Sequence, residues 1–313
     1  MKIVVISGGI SHERDISLRS GRRVADALAD AGHEVHVLEP DPQLLSRIES
    51  LAPAAIVPMV HGASGEDGSL LALLELAGRP YLGSSAQSAR LAWSKPAARD
   101  RIAECGVAVP EGFVLTRESF RELSAQSILQ LLGSTVRFPL VVKPGSGGSS
   151  QGVSIVADAT GLARALVEAF TYADVALCER WIPGNEVAVS VWRDEVGLRA
   201  LPPVEIAPQD GIYDFEARYN AGETTFFIPA RLEPTAIAAL GDAAVRVHRE
   251  LGLGDFSRVD FIVDDAGTPW FLEANVIPGF TETSLFPLAL GGADLTLTEA
   301  FDRAVRAVTE RAH

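Results

Sequence analysis

Glu273 and Asn275 lie two residues apart in Phe271-Leu272-Glu273-Ala274-Asn275-Val276-Ile277-Pro278-Gly279-Phe280-Thr281, where an apolar run ends in Pro-Gly. On a strand, residues two apart point to the same face, so this pair would offer two oxygen ligands side by side. A third oxygen donor, Asp260, stands in a second strand-like run, Ser257-Arg258-Val259-Asp260-Phe261-Ile262-Val263. Mg²⁺ takes few protein oxygens and completes its octahedron with phosphates and water. The three residues therefore read as a metal–nucleotide platform. Taken singly, each acid is equally an ordinary polar position on a half-exposed strand, and it is the pairing that favours the metal.

A second constellation follows another apolar strand, in Lys143-Pro144-Gly145-Ser146-Gly147-Gly148-Ser149-Ser150-Gln151-Gly152. Small residues let backbone N–H groups approach a polyphosphate closely, and Lys143 supplies positive charge at the strand end. The Gly-Lys-Ser/Thr ending of a Walker A loop is absent, and a plain surface hairpin is the alternative. Further on, Glu179-Arg180-Trp181-Ile182-Pro183-Gly184-Asn185-Glu186 offers acids at a hinge. Glu179 suits the exocyclic amine of adenine and Glu186 the hydroxyls of a ribose, while Trp181 is either core or a base platform. Near the N-terminus, Ser7-Gly8-Gly9-Ile10-Ser11-His12-Glu13-Arg14-Asp15 places Glu13 at a helix start. There it could cap the helix, lean on its dipole or hold a substrate ammonium. The dinucleotide fingerprint GxGxxG is missing. His61-Gly62-Ala63-Ser64-Gly65-Glu66-Asp67-Gly68 forms another loop, with His61 either functional or a surface residue.

Alternating strands and helices must position these groups. Lys2–Ser7, Glu34–Leu38 and Ala55–Met59 read as buried parallel strands, with a helix ending near Gly32 and a shorter one at Pro42–Ser50. This is a doubly wound α/β unit, whose ligands collect at strand carboxyl ends. The helical stretch Ala86–Gly106 leads to a second unit: strand Phe113–Leu115, a helix near Glu118–Leu132, strands Leu140–Lys143 and Val153–Val156, a helix near Thr160–Tyr172, and strand Ala176–Arg180. The third unit holds strands from Glu186 to Leu201, the polar stretch Pro208–Glu223, helix Pro234–Leu251, the two acid-bearing strands and a closing helix Leu295–Arg311. The expected domains are 1–93, 94–183 and 184–313. The fold class is α/β, becoming α+β in the C-terminal part.

At 313 residues the chain is long for one domain. Its 41 acids against 27 bases give a net charge of −14, which repels nucleic acid and acidic membranes. Cys105 and Cys178 have neither CxxC spacing nor metal-ligand neighbours, and read as thiols of a reducing compartment. The apolar run at the N-terminus is too short for a signal sequence and none reaches membrane-spanning length. The expectation is a cytoplasmic protein with no nucleic-acid or membrane partner.

Taken together, these segments resemble the D-alanine–D-alanine ligases within the ATP-grasp superfamily. The resemblance runs through Gly8-Gly9-Ile10-Ser11-His12-Glu13-Arg14-Asp15-Ile16-Ser17-Leu18, His61 to Gly68, Pro80-Tyr81-Leu82-Gly83-Ser84 and the Lys143 loop. It continues through Tyr213-Asp214-Phe215-Glu216-Ala217-Arg218-Tyr219, Arg258-Val259-Asp260 and Glu273 to Leu285. It implies an ATP-grasp fold with an N-terminal doubly wound parallel α/β domain. It implies further that Lys95 and Lys143 contact ATP phosphates, that Glu179, Trp181, Ile182 and Glu186 hold adenine and ribose, and that Asp260, Glu273 and Asn275 bind two Mg²⁺ ions, for which Mn²⁺ substitutes. Glu13 would hold the first amino acid's ammonium in a triad with Ser149 and Tyr219. His61, Arg258, Gly279, Ser284 and Leu285 would line the amino-acid sites. The implied assembly is a homodimer and the implied product a peptidoglycan precursor.

Three segments depart from the family pattern. Trp93-Ser94 precedes Lys95 where Met-Asp is usual, Arg218 replaces a lysine expected at the γ-phosphate, and Ser69-Leu70-Leu71-Ala72 replaces a stretch with Gln-Gly. The expected reaction activates one D-alanine as an acylphosphate and joins it to the amine of a second. The oxyanion would face Arg258 and the Gly279 N–H, under a lid at Pro208–Glu223. The alternatives are a related ligase acting on other amino or hydroxy acids, and a catalytically silent nucleotide-binding protein on the same scaffold.

Overall fold

The computed structural model describes residues 1–193, 197–208 and 224–311. Its first sheet is parallel: β1 (Lys2–Ile6) lies between β2 (Glu34–Leu38) and β3 (Ala55–Pro58), crossed over by α1 (Arg14–Asp30) and α2 (Leu44–Leu51). The central strand of a covered parallel sheet is apolar on both faces, and Ile3, Val4, Val5 and Ile6 are fully buried. Two short helices follow, α3 (Ala63–Glu66) and α4 (Ser69–Leu76).

The helical stretch Ala86–Gly106 consists of two helices, α5 (Ala86–Trp93) and α6 (Lys95–Glu104). Pro96 is the cause, because in an unbroken helix its ring would strike the Ala92 carbonyl. At the break Ser94 is extended and its side chain accepts from the Ala97 N–H, capping α6. Serine thus does the capping that the family's aspartate could do at this position. The helix expected near Glu118–Leu132 is also split, into α7 (Arg117–Glu122) and α8 (Ala125–Thr135), because Ser124 takes φ 67°, which no α-helix accommodates.

The second sheet is antiparallel, in the order β4 (Gly112–Thr116), β7 (Val175–Arg180), β5 (Leu140–Pro144), β6 (Ser154–Val156). Strand alternation divides its faces. Leu140, Val142 and Cys178 pack beneath α9 (Leu162–Tyr172), so Lys143 and Glu179 project from the other face.

The third sheet runs β11 (Thr224–Phe227), β10 (Val204–Pro208), β8 (Asn185–Arg193), β12 (Phe256–Val263), β13 (Pro269–Asn275), with β9 (Leu198–Ala200) on β8. It carries α10 (Pro234–Glu250), α11 (Leu285–Gly292) and α12 (Leu297–Arg311). Trp192, Phe256, Phe280, Phe286 and Phe301 interlock at centroid distances of 5.1 to 6.5 Å. This core is continuous with that of the first sheet, whereas the second sheet has a core of its own. Among the described residues no helix is long and apolar enough to cross a membrane.

Candidate active site

The antiparallel register of β12 and β13 sets Asp260 opposite Glu273 and Arg258 opposite Asn275. A bulge then shifts the register, so that Phe271 pairs with Phe261. Strict alternation would have put Phe271 on the face of Glu273; the extra residue, Leu272, turns Phe271 inward instead, edge-on to Phe261 at 6.4 Å. One strand therefore serves the core at one end and presents polar groups at the other. Arg258 grips Asp260 with two hydrogen bonds of 2.8 Å, and the Asn275 amide donates to the same carboxylate at 3.2 Å. Lys95 is paired with Glu273. Among the described residues no three His, Cys, Asp or Glu side chains form a metal cage. Two carboxylates and an amide oxygen nonetheless fit a hard divalent cation that draws its remaining ligands from phosphate and water.

Lys95 also ties this platform to the glycine loop. Its ammonium donates to the Gly147 carbonyl at 2.9 Å, and its own N–H to the Gly145 carbonyl at 2.8 Å. Lys143, at the end of β5, lies 2.5 Å from Glu179, and both are buried. Glu179 has room because the residue opposite it on β4 is Gly112, where a Cβ would meet the Cys178 carbonyl at 2.4 Å and the Glu179 side chain at 3.0 Å.

Glu13 occupies the N-cap of α1 yet makes no capping bond with its side chain. It instead accepts a hydrogen bond from the Ser149 hydroxyl, joining the first βα turn to the glycine loop. Glycine at 62 and 148 leaves space for it: a Cβ at either position would lie 3.1 Å from a Glu13 oxygen. His61 is buried, not superficial. Its Nδ1–H donates to the Ile277 carbonyl at 2.9 Å and its Nε2 accepts from Ser20 at 3.2 Å, while Ser20 accepts from the Phe280 N–H at 2.9 Å. Burial pushes the nearby Glu66 carboxyl up; His61 pulls it down and the Glu13 charge adds to the rise.

Beyond Pro278 the chain turns tightly. A Cβ on Gly279 would stand 2.7 Å from the Ser284 hydroxyl, which accepts from the Thr281 N–H at 3.0 Å. Leu285 begins α11 and is buried in the core. Past β7, Ile182 is buried and Trp181 partly exposed, and Glu186 sits on β8 opposite Ile262, on the face that carries Asp260. Arg218, Tyr219 and most of the expected lid lie outside the described residues.

A family model described as the D-ala D-ala ligase C-terminus matches residues 102–305. A D-alanine–D-alanine ligase of Syntrophotalea carbinolica is 38% identical over 302 residues, covering 96% of this chain and 94% of that protein. The chain belongs to the D-alanine–D-alanine ligase family. Another D-alanine–D-alanine ligase, from Halalkalibacterium halodurans, is 37% identical, with 96% of each chain covered. Among solved structures, the D-alanine–D-alanine ligase of Bacillus anthracis complexed with ATP superposes with a TM-score of 0.82 at 25% identity, covering 100% of this chain and 98% of that one. The VanG D-Ala:D-Ser ligase of Enterococcus faecalis gives 0.82 at 25%, covering 98% and 99%. The fold is therefore ATP-grasp.

Three participants were missed by the sequence reading. Arg99, Glu66 and Ser20 each touch a residue that it singled out. Arg99 carried one usable signal, its place four residues after Lys95 on the same helix face. Glu66 stands inside the His61 loop, whereas Ser20 sits mid-helix with no local mark.

Proposed function

We propose that the protein joins two D-alanines into D-alanyl-D-alanine at the expense of ATP, supplying a peptidoglycan precursor. The observation that carries this reading is the Lys95 ammonium, shared between the Gly147 carbonyl and Glu273. It brings the glycine loop and the carboxylate pair together, which supports reading them as one nucleotide and metal site. Glu13, bound to Ser149, brings an ammonium-binding acid to the rim of the same cradle.

The carboxylate of the first D-alanine attacks the γ-phosphorus and ADP leaves. The amine of the second then attacks the acyl carbon, phosphate departs and the amine proton is lost. Asp260, Glu273 and Asn275 would hold Mg²⁺, which neutralises charge on the transferring phosphoryl group. Lys95 and Lys143 orient the phosphates, and Glu179 and Glu186 the adenine and ribose beside Trp181 and Ile182. Arg218 replaces the family's lysine at the γ-phosphate. Glu13, with Ser149 and Tyr219, fixes the first ammonium. His61, Ser284 and Leu285 shape the amino-acid sites. Arg258 and the Gly279 N–H, which has no acceptor among the described residues, face the tetrahedral oxyanion. Segment 208–223 closes over the acylphosphate and excludes water. Residues 1–93, 94–183 and 184–313 act as three domains, with the middle one free to close. A homodimer in the cytoplasm, apart from nucleic acid and membranes, completes the proposal.

The test is a product-identified assay with ATP, Mg²⁺ and D-alanine, with D-serine and D-lactate in parallel. Formation of ADP and D-alanyl-D-alanine is expected. Nucleotide binding with no turnover on any substrate would replace the enzyme reading by that of a silent binder.

A further inference from the structure

We propose that Arg99 sets the nucleobase preference, as the positioning residue that keeps the Glu179 carboxylate aimed at a 6-amino group once Lys143 has turned to the phosphates. This rests on the reading of Glu179 as the adenine partner and Lys143 as a phosphate contact. Glu179 is buried, 3% exposed, and has one cation at each carboxylate oxygen. The Lys143 ammonium is 2.5 Å from Oε2 and the Arg99 Nε 3.4 Å from Oε1.

The two cations differ in freedom. Lys143 is a point charge on a flexible stem and can exchange a carboxylate for a phosphate. Arg99 cannot follow, because its Nε and Nη2 both donate to the Pro110 carbonyl, at 3.2 and 3.0 Å, two residues before β4 begins. Among the described residues its other polar contact is with Asp100 at 3.0 Å, which is largely exposed. On α6 the neighbours Ala98 and Ile102 are buried in the main core, which holds the helix in place.

When a triphosphate draws Lys143 away, Arg99 is the cation left on Glu179 among the described residues. A buried carboxylate with no counter-ion is costly, and it shifts toward another cation or takes up a proton. Held ionised, it is acceptor-only. It then welcomes the amine at position 6 of adenine and repels a carbonyl there. Without Arg99, the Glu179 carboxylate follows Lys143 toward the phosphates and away from the purine 6-position. The 6-substituent is then left unread, and discrimination erodes through nucleotide affinity.

The experiment compares ATP with ITP, which differs at the purine 6-position by oxygen for amine, using full-length enzyme, Mg²⁺ and D-alanine. Arg99→Met and Arg99→Gln should lower the ATP-to-ITP ratio of kcat/KM by about tenfold or more, since a site built for a donor rejects its absence strongly. The loss should lie in KM for ATP more than in kcat, and Arg99→Lys should restore most of the ratio. The glutamine variant retains a donor for the Pro110 carbonyl, so it decides the matter where the methionine variant fails to fold. An unchanged ratio in Arg99→Gln, whatever its stability, overturns the proposal. Glu179→Gln is the control on the underlying reading: a ratio unmoved there means that Glu179 does not read the base at all.

Discussion

At the scale of single residues, charge on the two facing acids is the most exposed commitment of the proposed chemistry. Glu273→Gln and Asp260→Asn keep size but replace an anionic oxygen each with an amide group, which at position 260 also turns a donor toward Arg258 or Asn275, so turnover should fall on the order of a hundredfold or more with the fold retained. ADP release measured across a Mg²⁺ titration, with circular dichroism as the check on folding, reads this directly; near wild-type rates at limiting Mg²⁺ would refute it. Tyr219 carries the second residue-scale prediction. In the proposed triad the Tyr219 phenol would bond to Ser149, and through it to Glu13, and so fix closure over the first substrate. Leaving that network one partner short costs ~1–3 kcal/mol, a roughly five- to hundredfold effect. The unmodified enzyme should make amide from mixed D-alanine and D-lactate, and Tyr219→Phe should raise the ester-to-amide ratio. Mass spectrometry of the products decides it, with predominant ester from the unmodified protein counting against the reading.

At the scale of elements, β4 and β7 meet closely at Gly112, which has no side chain to spare. Gly112→Ala puts a methyl 2.4 Å from the Cys178 carbonyl. The strands must part, at a cost of ~1–3 kcal/mol, and Glu179 loses its place. A lower melting temperature and a higher KM for ATP should appear together. A stable variant with unaltered ATP kinetics would mean that the strands tolerate the methyl. Helix α10 holds another constraint in His248, whose Nε2–H donates to the Gly254 carbonyl at 3.0 Å while Nδ1 accepts from Ser257 at 2.7 Å. Burial pushes its imidazole down to about 4 from an ordinary 6.5. The unfolded chain therefore binds the proton first. Stability from this group is fully present above pH 6.5 and drains away as the pH falls toward 4, amounting to roughly 3 kcal/mol. Melting temperature followed over that window should drop, and His248→Gln should flatten the part of the slope that this side chain contributes. An identical slope in the variant would assign the loss to the carboxylates instead.

At the scale of the whole molecule, the first and third sheets share a core while the second keeps its own. What joins the second sheet and its loop to the rest near the site is largely polar: Lys95 to Gly147, Ser149 to Glu13, Arg99 to Glu179, and Arg180 over the Trp270 ring at 5.3 Å. Polar links across a seam can be exchanged for links to a ligand at little net cost, whereas a shared apolar core cannot. A non-hydrolysable ATP analogue with Mg²⁺ should therefore contract the molecule in small-angle scattering. It should also raise the melting temperature with nucleotide concentration, since binding to the folded form alone stabilises it by about 2.7 kcal/mol at a hundredfold excess over Kd. A rise in melting temperature with no contraction would leave binding intact and remove the closure.

The sequence by itself determined the elements and the positions at their ends, because period-two burial and glycine turns are local properties. Lys2–Ile6, Glu34–Leu38 and Leu140–Pro144 are readable as strands from their own residues, and Glu273 with Asn275 as a same-face pair from spacing alone. Two helix breaks were not placed by that reading. Pro96 was a visible signal of one, whereas Ser124 gave none. Only the tertiary structure decided which charges meet. The Arg99 and Lys143 grip on Glu179, the Lys95 bridge from loop to carboxylate, and the buried His61–Ser20–Phe280 relay join residues 36 to 260 positions apart or set on different elements. Such contacts follow from how the sheets pack and in which register, and the bulge at Leu272 shows the limit of local periodicity. There one inserted residue sends Phe271 into the core and leaves Glu273 facing Asp260, a reversal that depends on the partner strand as much as on the strand itself.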